Sequence, residues 1–220
     1  TYIAPATTEP HDDMNRPLSD HEIKEGIGFV NHEIAKKNEE LSDEDQMELI
    51  DPGRDCIAMV ARFDESKGGD KWMALGVRTK QLVKEKLIAR GLSPDSKRPQ
   101  IVFLGNGSVD DPSGKPEFEK MLKLRRERYP DDKQDISLGR IKHNYAAINA
   151  FMHKRQPGVS LVAVQMSDAE GCETRISDWM EHGVPTVVSS RGGMSLQVSE
   201  ASGIVLDYDK PGLDLERGAD

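Results

Sequence analysis

The chain has 220 residues, with 30 Lys plus Arg against 39 Asp plus Glu, a formal charge of −9, 36% hydrophobic and 31% charged residues. This is the profile of a soluble globular protein of one or at most two domains, and 5% aromatic residues point to a core of aliphatic side chains. It excludes a membrane span, since no run of about 18 apolar residues occurs, and argues against broad nucleic-acid binding, which needs a basic face to displace counterions from phosphate.

The first fifty or so residues are polar and carry no strong strand signal. SDHE at residues 19–22 has the form of a capping box, and Ile23, Ile27, Val30 and Ile34 recur at helical spacing, which predicts an amphipathic helix over residues 20–39. LSDEDQMELIDPGRD then reads as an acidic surface connection with a helical turn, ending in Pro52 and Gly53. From Asp55 the texture changes. CIAMVA, QIVFLG, DISLG, SLVAVQM, PTVVSS and GIVLDY are short β-type runs, alternating with helical stretches that begin WMALGV, lie near residues 118–127, and continue in YAAINAFMHKR and SDWMEHG. Continuous apolar strands separated by helices predict an α/β fold, a doubly wound, Rossmann-like parallel sheet over residues 55–208, with 1–54 a connecting and helical segment and 209–220 a truncated C-terminal segment. Ligands in such sheets bind beyond the carboxyl ends of the strands, so the chemistry belongs in the loops that follow those runs.

Four loops qualify. In RFDESKGGD, Arg62 and Lys67 stand five positions apart on a glycine-ended turn, where a guanidinium fork and a compact ammonium could hold a phosphate; the alternative is a surface pair of Arg62 with Asp64 or Glu65, with Lys67 opening a helix. In GNGSVDDPSG, Gly105 and Gly107 flank Asn106, allowing close backbone approach to a ligand or a tight strand exit; the dinucleotide pattern GxGxxG fails because position 110 is Asp. In SDAEGCETRISDWMEHG, Gly171 opens a helix whose N–H groups and dipole would face an anion, Glu170 sits at the mouth where it can accept from sugar hydroxyls, and Asp178 lies eight positions on, about two turns. Acidic residues there also suit plain helix capping. In SSRGGMSLQV, Gly192 and Gly193 mark either backbone exposed to a ligand or a tight reversal.

Other chemistries find little support. There is no GxSxG elbow and no HExxH, the six histidines lack paired spacing, and Cys56 and Cys172 give neither a disulfide framework nor a metal-ligand set. Cys172, with no His near it, reads as a packing residue. The basic run KLRRERYP, residues 123–130, reads as a solvated helix face. Reduced cysteines and the absence of a leader fit a cytoplasmic protein. The start at Thr1 and the end in ERGAD suggest a piece of something longer.

In this order, the four loops resemble the C-terminal, donor-binding lobe of retaining glycosyltransferases of the two-Rossmann-domain (GT-B, family 4) type, the family that contains sucrose synthase and trehalose synthases. ARFDESKG resembles its Arg-x-x-x-x-Lys phosphate-binding segment, and EGCETRISDWMEHGVPTVVSSRGG its two acidic residues eight apart, proline-led strand and Gly-Gly turn. YIAPATTEPHDDMN, ARFDESKGGD, PQIVFLGNGSVDDP and the EGCE stretch are most similar to the fungal-type trehalose phosphorylase and trehalose synthase group.

The resemblance implies a front-face reaction with retained configuration. Arg62 and Lys67 would neutralise the departing phosphate or bind inorganic phosphate, Glu170 would bind the sugar's hydroxyls, the N–H groups of Gly171, Cys172 and Glu173 would cradle phosphate, and Gly105, Asn106 and Gly107 would line the donor pocket. Asp178 stands where the family commonly has a Glu that grips the ribose of a nucleotide-sugar donor, a shortening that suits a phosphorylase; Cys172 replaces a customary aromatic residue. The partners implied are phosphate, glucose 1-phosphate or a nucleotide sugar, trehalose or glucose, and an N-terminal acceptor lobe outside this chain, with homo-oligomers open and no cofactor, metal, nucleic acid or membrane. Two other readings remain: an inactive binding domain, motivated by Cys172 and Asp178, and an NAD-dependent oxidoreductase, disfavoured by the missing GxGxxG.

Overall fold

The computed structural model describes residues 13, 15–105, 114–141, 144–153, 157–168 and 170–207. The expected first helix is α1, Asp20–Asn38, and its capping box forms: the Ser19 hydroxyl accepts from the Glu22 N–H at 3.3 Å, and the Glu22 carboxylate accepts from the Ser19 N–H at 2.8 Å. That backbone N–H is the main reason the Glu22 carboxyl is lowered to about 2. Ile27, Val30 and Ile34 form the buried stripe of α1. Gly26 lets α1 lie close on α4 (Tyr145–Met152), because a Cβ there would come within 2.4 Å of the Ala150 Cβ.

Each apolar run becomes a strand: β1 Cys56–Val60, β2 Gln100–Gly105, β3 Ile136–Arg140, β4 Leu161–Gln165, β5 Thr186–Ser189 and β6 Gly203–Leu206. They form one parallel sheet in the order β3-β2-β1-β4-β5-β6. Helices α2 (Gly69–Ala89), α3 (Gly114–Arg128), α4, α5 (Thr174–Glu181) and the short α6 (Met194–Gln197) make the crossovers, so the fold is doubly wound. Every residue of β1 and β2 is buried, the reason these strands read as unbroken apolar runs rather than alternating ones. The order reverses between β1 and β4. Their following loops therefore part on opposite sides and leave a crevice beyond the strand ends.

The core is mostly aliphatic and methionine, with a Phe151–Trp179 edge contact and an aromatic knot under the β1 loop. There Phe63 stacks on Phe103 with centroids 4.5 Å apart and meets Phe118 edge-on at 4.9 Å, while Trp72 meets Phe103 at 5.4 Å. Among the described residues no helix is long and apolar enough to cross a membrane.

Two expectations are corrected. The acidic connection after α1 does contain a helical turn, Asp43–Asp45, but it is no mere surface link: Met47 and Ile50 are buried in the core. Two asparagines of α1 pin it as a strand partner would. Asn38 receives the Met47 N–H and donates to the Met47 carbonyl, and Asn31 does the same for Ile50. Within the basic run, Arg125 is fully buried, donating to the carbonyls of Asp45, Gln46, Lys133 and Ile136 at 2.6–2.9 Å. Burial lowers its pKa to about 10. Lys123, Arg126 and Arg128 do face solvent.

At the far end of the sheet from the crevice, Asp135 is fully buried among Lys80, Arg54 and Arg98. Burial, the largest influence, pushes its pKa up, but the hydrogen bonds from the three cations outweigh it and the net shift is below the ordinary 3.8. A carboxyl depressed in the folded state contributes stability that is complete above its unfolded value and is lost as pH falls through the folded one. Thermal melts should therefore show a falling limb below about pH 4 that is shallower in Asp135→Asn, and the variant should cost ~3 kcal/mol at neutral pH because three cations then face a neutral amide. Identical acid limbs would remove Asp135 as their source.

Candidate functional site

The loop after β1 is built by alternation. Phe63 turns in to the aromatic knot and is 1% exposed, which turns Arg62 out to solvent over the crevice. Asp64 then caps a 3₁₀ turn at Glu65–Lys67 by accepting from the Ser66 N–H at 2.8 Å and the Ser66 hydroxyl at 2.7 Å, bonds that hold its carboxyl below the usual range. Gly68 closes the turn at φ +66, and a Cβ there would stand 2.2 Å from the Met166 carbonyl oxygen. Only a glycine lets the β1 loop lie on the β4 loop so closely.

That contact brings the sequence-predicted residues together. Lys67 neither opens a helix nor faces solvent: it is 7% exposed, and its ammonium donates to Glu170 and, at 2.8 Å, to Glu173. Burial pulls its pKa down, but the two carboxylate hydrogen bonds outweigh this and raise it above 10.5, so Lys67 is a cation at any physiological pH. Arg62 makes no hydrogen bond or close ion pair among the described residues, so the alternative of a surface pair with Asp64 or Glu65 does not form, although its charge helps to hold the Asp64 carboxyl down. The two loops are laced further by the Asp168 N–H donating to the Ser66 carbonyl at 2.7 Å and by a Lys71–Asp168 ion pair.

The Gly-Gly turn seats the acidic loop. Gly192 is at φ +68, the tight reversal, and the Gly193 N–H donates to the Glu170 carbonyl at 2.7 Å; a Cβ on Gly193 would lie 1.8 Å from the Gly171 carbonyl oxygen. The glycines thus face the backbone of residues 170–171.

The helix after β4 starts later than expected. It begins at Thr174, not Gly171, because Glu173 is its N-cap, accepting from the Arg175 N–H at 3.3 Å. The Glu173 N–H is committed to the Gln197 side chain at 3.0 Å, which leaves Gly171 and Cys172 as the exposed part of the expected N–H cradle. Cys172 carries an exposed free thiol rather than a packing side chain. Asp178 is 4% exposed and held by Arg175 at 2.6 Å and Asn15 at 3.1 Å. At the end of β2, Gly105 is needed for packing, since a Cβ would meet the Ala61 carbonyl oxygen at 2.5 Å and the Phe63 ring at 2.8 Å. Asn106 and Gly107 lie outside the described residues.

Beyond the strand ends lies a cavity of about 210 Å³, with Arg62, Lys67, Gly105, Glu173, Thr174 and Arg175 in its wall, whereas Glu170, Gly171, Cys172 and Asp178 do not line it. An arginine without a hydrogen-bonded partner among the described residues, a buried lysine and a second arginine on one small hollow suit a compact anion. Sequence reasoning missed Arg175. The signal was there: a cation in the first turn of a helix runs against the helix dipole and calls for a reason.

No protein-family model matches the chain. It is 29% identical over 197 residues, 88% of its length and 24% of the relative's, to the trehalose phosphorylase of Pleurotus pulmonarius. It is 32% identical over 155 residues, 69% of its length and 19% of the relative's, to the trehalose phosphorylase of Pleurotus sajor-caju. The trehalose synthase of Thermococcus litoralis is 32% identical over 170 residues, 75% of this chain and 36% of the relative. The chain therefore spans only about a fifth to a third of these relatives. Among solved structures, an α,α-trehalose 6-phosphate synthase from Burkholderia multivorans superposes with a TM-score of 0.53 at 17% identity, covering 88% of this chain and 39% of that one. A glycosyltransferase from Rickettsia africae gives a TM-score of 0.51 at 12% identity, over 93% and 45%. With the Arg-x-x-x-x-Lys and Glu-Gly loops meeting at the reversal point of a doubly wound sheet whose fold matches one lobe of these glycosyltransferase structures, the chain belongs to the family of trehalose phosphorylases and trehalose synthases.

Proposed function

We propose that residues 55–208 are the donor-binding lobe of a retaining glucosyltransferase that moves glucose between trehalose and phosphate or a nucleoside diphosphate. Residues 1–54 would lead into the lobe, 209–220 would leave it, and an acceptor lobe elsewhere in a longer protein would complete the enzyme. The observation that carries this reading is the cavity between the β1 and β4 loops, where Arg62 and Lys67 share one wall and Lys67 is joined to Glu170 and Glu173. The names of the relatives supply the sugar chemistry.

In a front-face transfer the leaving phosphate gains charge as the glycosidic bond breaks, and fixed cations beside it lower the barrier. Arg62 meets that need with a planar donor fork that makes no hydrogen bond among the described residues. Lys67 meets it only after exchanging a carboxylate for phosphate. Glu170, the more exposed of its two partners, is the one that gives way, and a freed Glu170 can accept from glucose hydroxyls. Phosphate and sugar would thus bind together. Cys172, Asp178 and Glu170 all lie outside the cavity wall, Glu170 being joined to it through Lys67.

Titration calorimetry of the chain with phosphate, glucose 1-phosphate, UDP and UDP-glucose tests the reading. At least one should bind, and Arg62→Ala should weaken it by about tenfold or more, the scale of one charge-assisted contact; absence of any binding would end the assignment. Glu170→Gln should tighten inorganic phosphate several-fold, because it loosens the hold on Lys67 and removes a negative charge, while weakening glucose 1-phosphate relative to phosphate. Equal changes for the two ligands would take Glu170 away from the sugar.

A further inference from the structure

The second arginine of the cavity is fixed from behind. Arg175 stands in the first turn of α5, and its Nη1 donates to Asp178 Oδ2 at 2.6 Å. The other oxygen of that carboxylate accepts from Asn15 Nδ2 at 3.1 Å, a contact spanning 163 residues of chain. Asp178 is 4% exposed and outside the cavity wall, whereas Arg175 is in the wall with 24% of its side chain accessible. A guanidinium has five donors in a rigid fork. The Asp178 contact is the only side-chain hydrogen bond of Arg175 among the described residues, so the fork still has donors for a ligand.

A sugar hydroxyl could reach Asp178 only by displacing Arg175 or Asn15 from a buried carboxylate. Leaving a buried charge without its partner is costly, so the pair is a poor ribose grip. As an anchor it is effective: it offsets the dipole penalty of a cation at the start of α5 and removes the rotamer freedom that an arginine otherwise loses on binding.

We propose that Arg175 is a ligand-binding residue, the third cation of the cavity, and that Asp178 is a positioning residue that aims it, making the site select a bare phosphate group, as in inorganic phosphate or a sugar 1-phosphate, over a ribose-bearing donor. The proposal rests on the reading of the cavity as a phosphate site. Arg62 and Arg175 then present the two forks, with Lys67 between its glutamates as the cation released on binding.

A calorimetric double-mutant cycle on the chain tests it, with inorganic phosphate and UDP as probes and melting curves confirming that each variant is folded. Arg175→Gln should weaken phosphate about tenfold, and Arg175→Lys, which keeps the charge but not the fork, should recover part of the loss. Asp178→Asn should weaken phosphate and UDP by the same factor in the parent chain and should cost nothing more when added to Arg175→Gln, a non-additivity that a merely structural role does not produce. If Asp178→Asn fails to fold, the Arg175 pair of variants decides alone. Normal phosphate affinity in Arg175→Gln alongside a loss in Arg62→Ala would overturn this proposal and leave the phosphate site standing, as would an Asp178→Asn that weakens UDP only. Failure of the parent chain to bind inorganic phosphate would overturn this proposal, and failure to bind glucose 1-phosphate, UDP and UDP-glucose as well would take both readings down.

Discussion

The ammonium of Lys67, held between Glu170 and Glu173, is the interaction on which the site depends. It joins the loop after β1 to the loop after β4 at the point where the strand order reverses, and it does so with little water, since Lys67 is 7% exposed and Glu173 likewise. One cation between two carboxylates leaves a negative surplus. The nearby Arg62 and Arg175 offset that surplus on the cavity side, and an entering anion has cations to meet.

Glycines make the clamp possible. Gly68 brings the β1 loop onto Met166, Gly192 and Gly193 bring the turn after β5 onto residues 170–171, and Gly105 makes room for the end of β1. In each case the atom that excludes a side chain is a backbone oxygen, which cannot rotate away. Substitution at these positions therefore shifts whole loops and with them the carboxylates that Lys67 needs. Phe63, buried in its aromatic knot, sets the opposite boundary condition by fixing which way Arg62 turns.

Much of the fold was legible because parallel strands buried on both faces leave uninterrupted apolar runs, and every run after Asp55 became a strand. Arg62, Lys67 and Glu170 are brought together in the sequence only by the resemblance of their loops to one family, and the contact between Lys67 and Glu170 is what the structure adds. What stayed hidden depends on contacts distant in sequence. The pinning of Met47 and Ile50 by two asparagines of α1 looks like polar linker in the sequence, and the burial of Arg125 looks like one more charge in a basic run. The start of α5 was misplaced because Gly171 is the obvious signal, whereas Glu173 is the residue that caps. The anchoring of Asp178 by Arg175 beside it and Asn15 far upstream is not legible either, since those partners form no motif.

The chemistry that follows is an exchange of anions. In the proposed transfer, carboxylates neutralise Lys67 before binding; phosphate would do so after it, and the released Glu170 would turn to sugar. A crystal structure of the chain with glucose 1-phosphate tests this most directly. The account predicts the phosphate between Arg62 and Lys67, with the Lys67–Glu170 contact opened and the Lys67–Glu173 contact kept. A phosphate bound elsewhere, with Lys67 still joined to both glutamates, would contradict it.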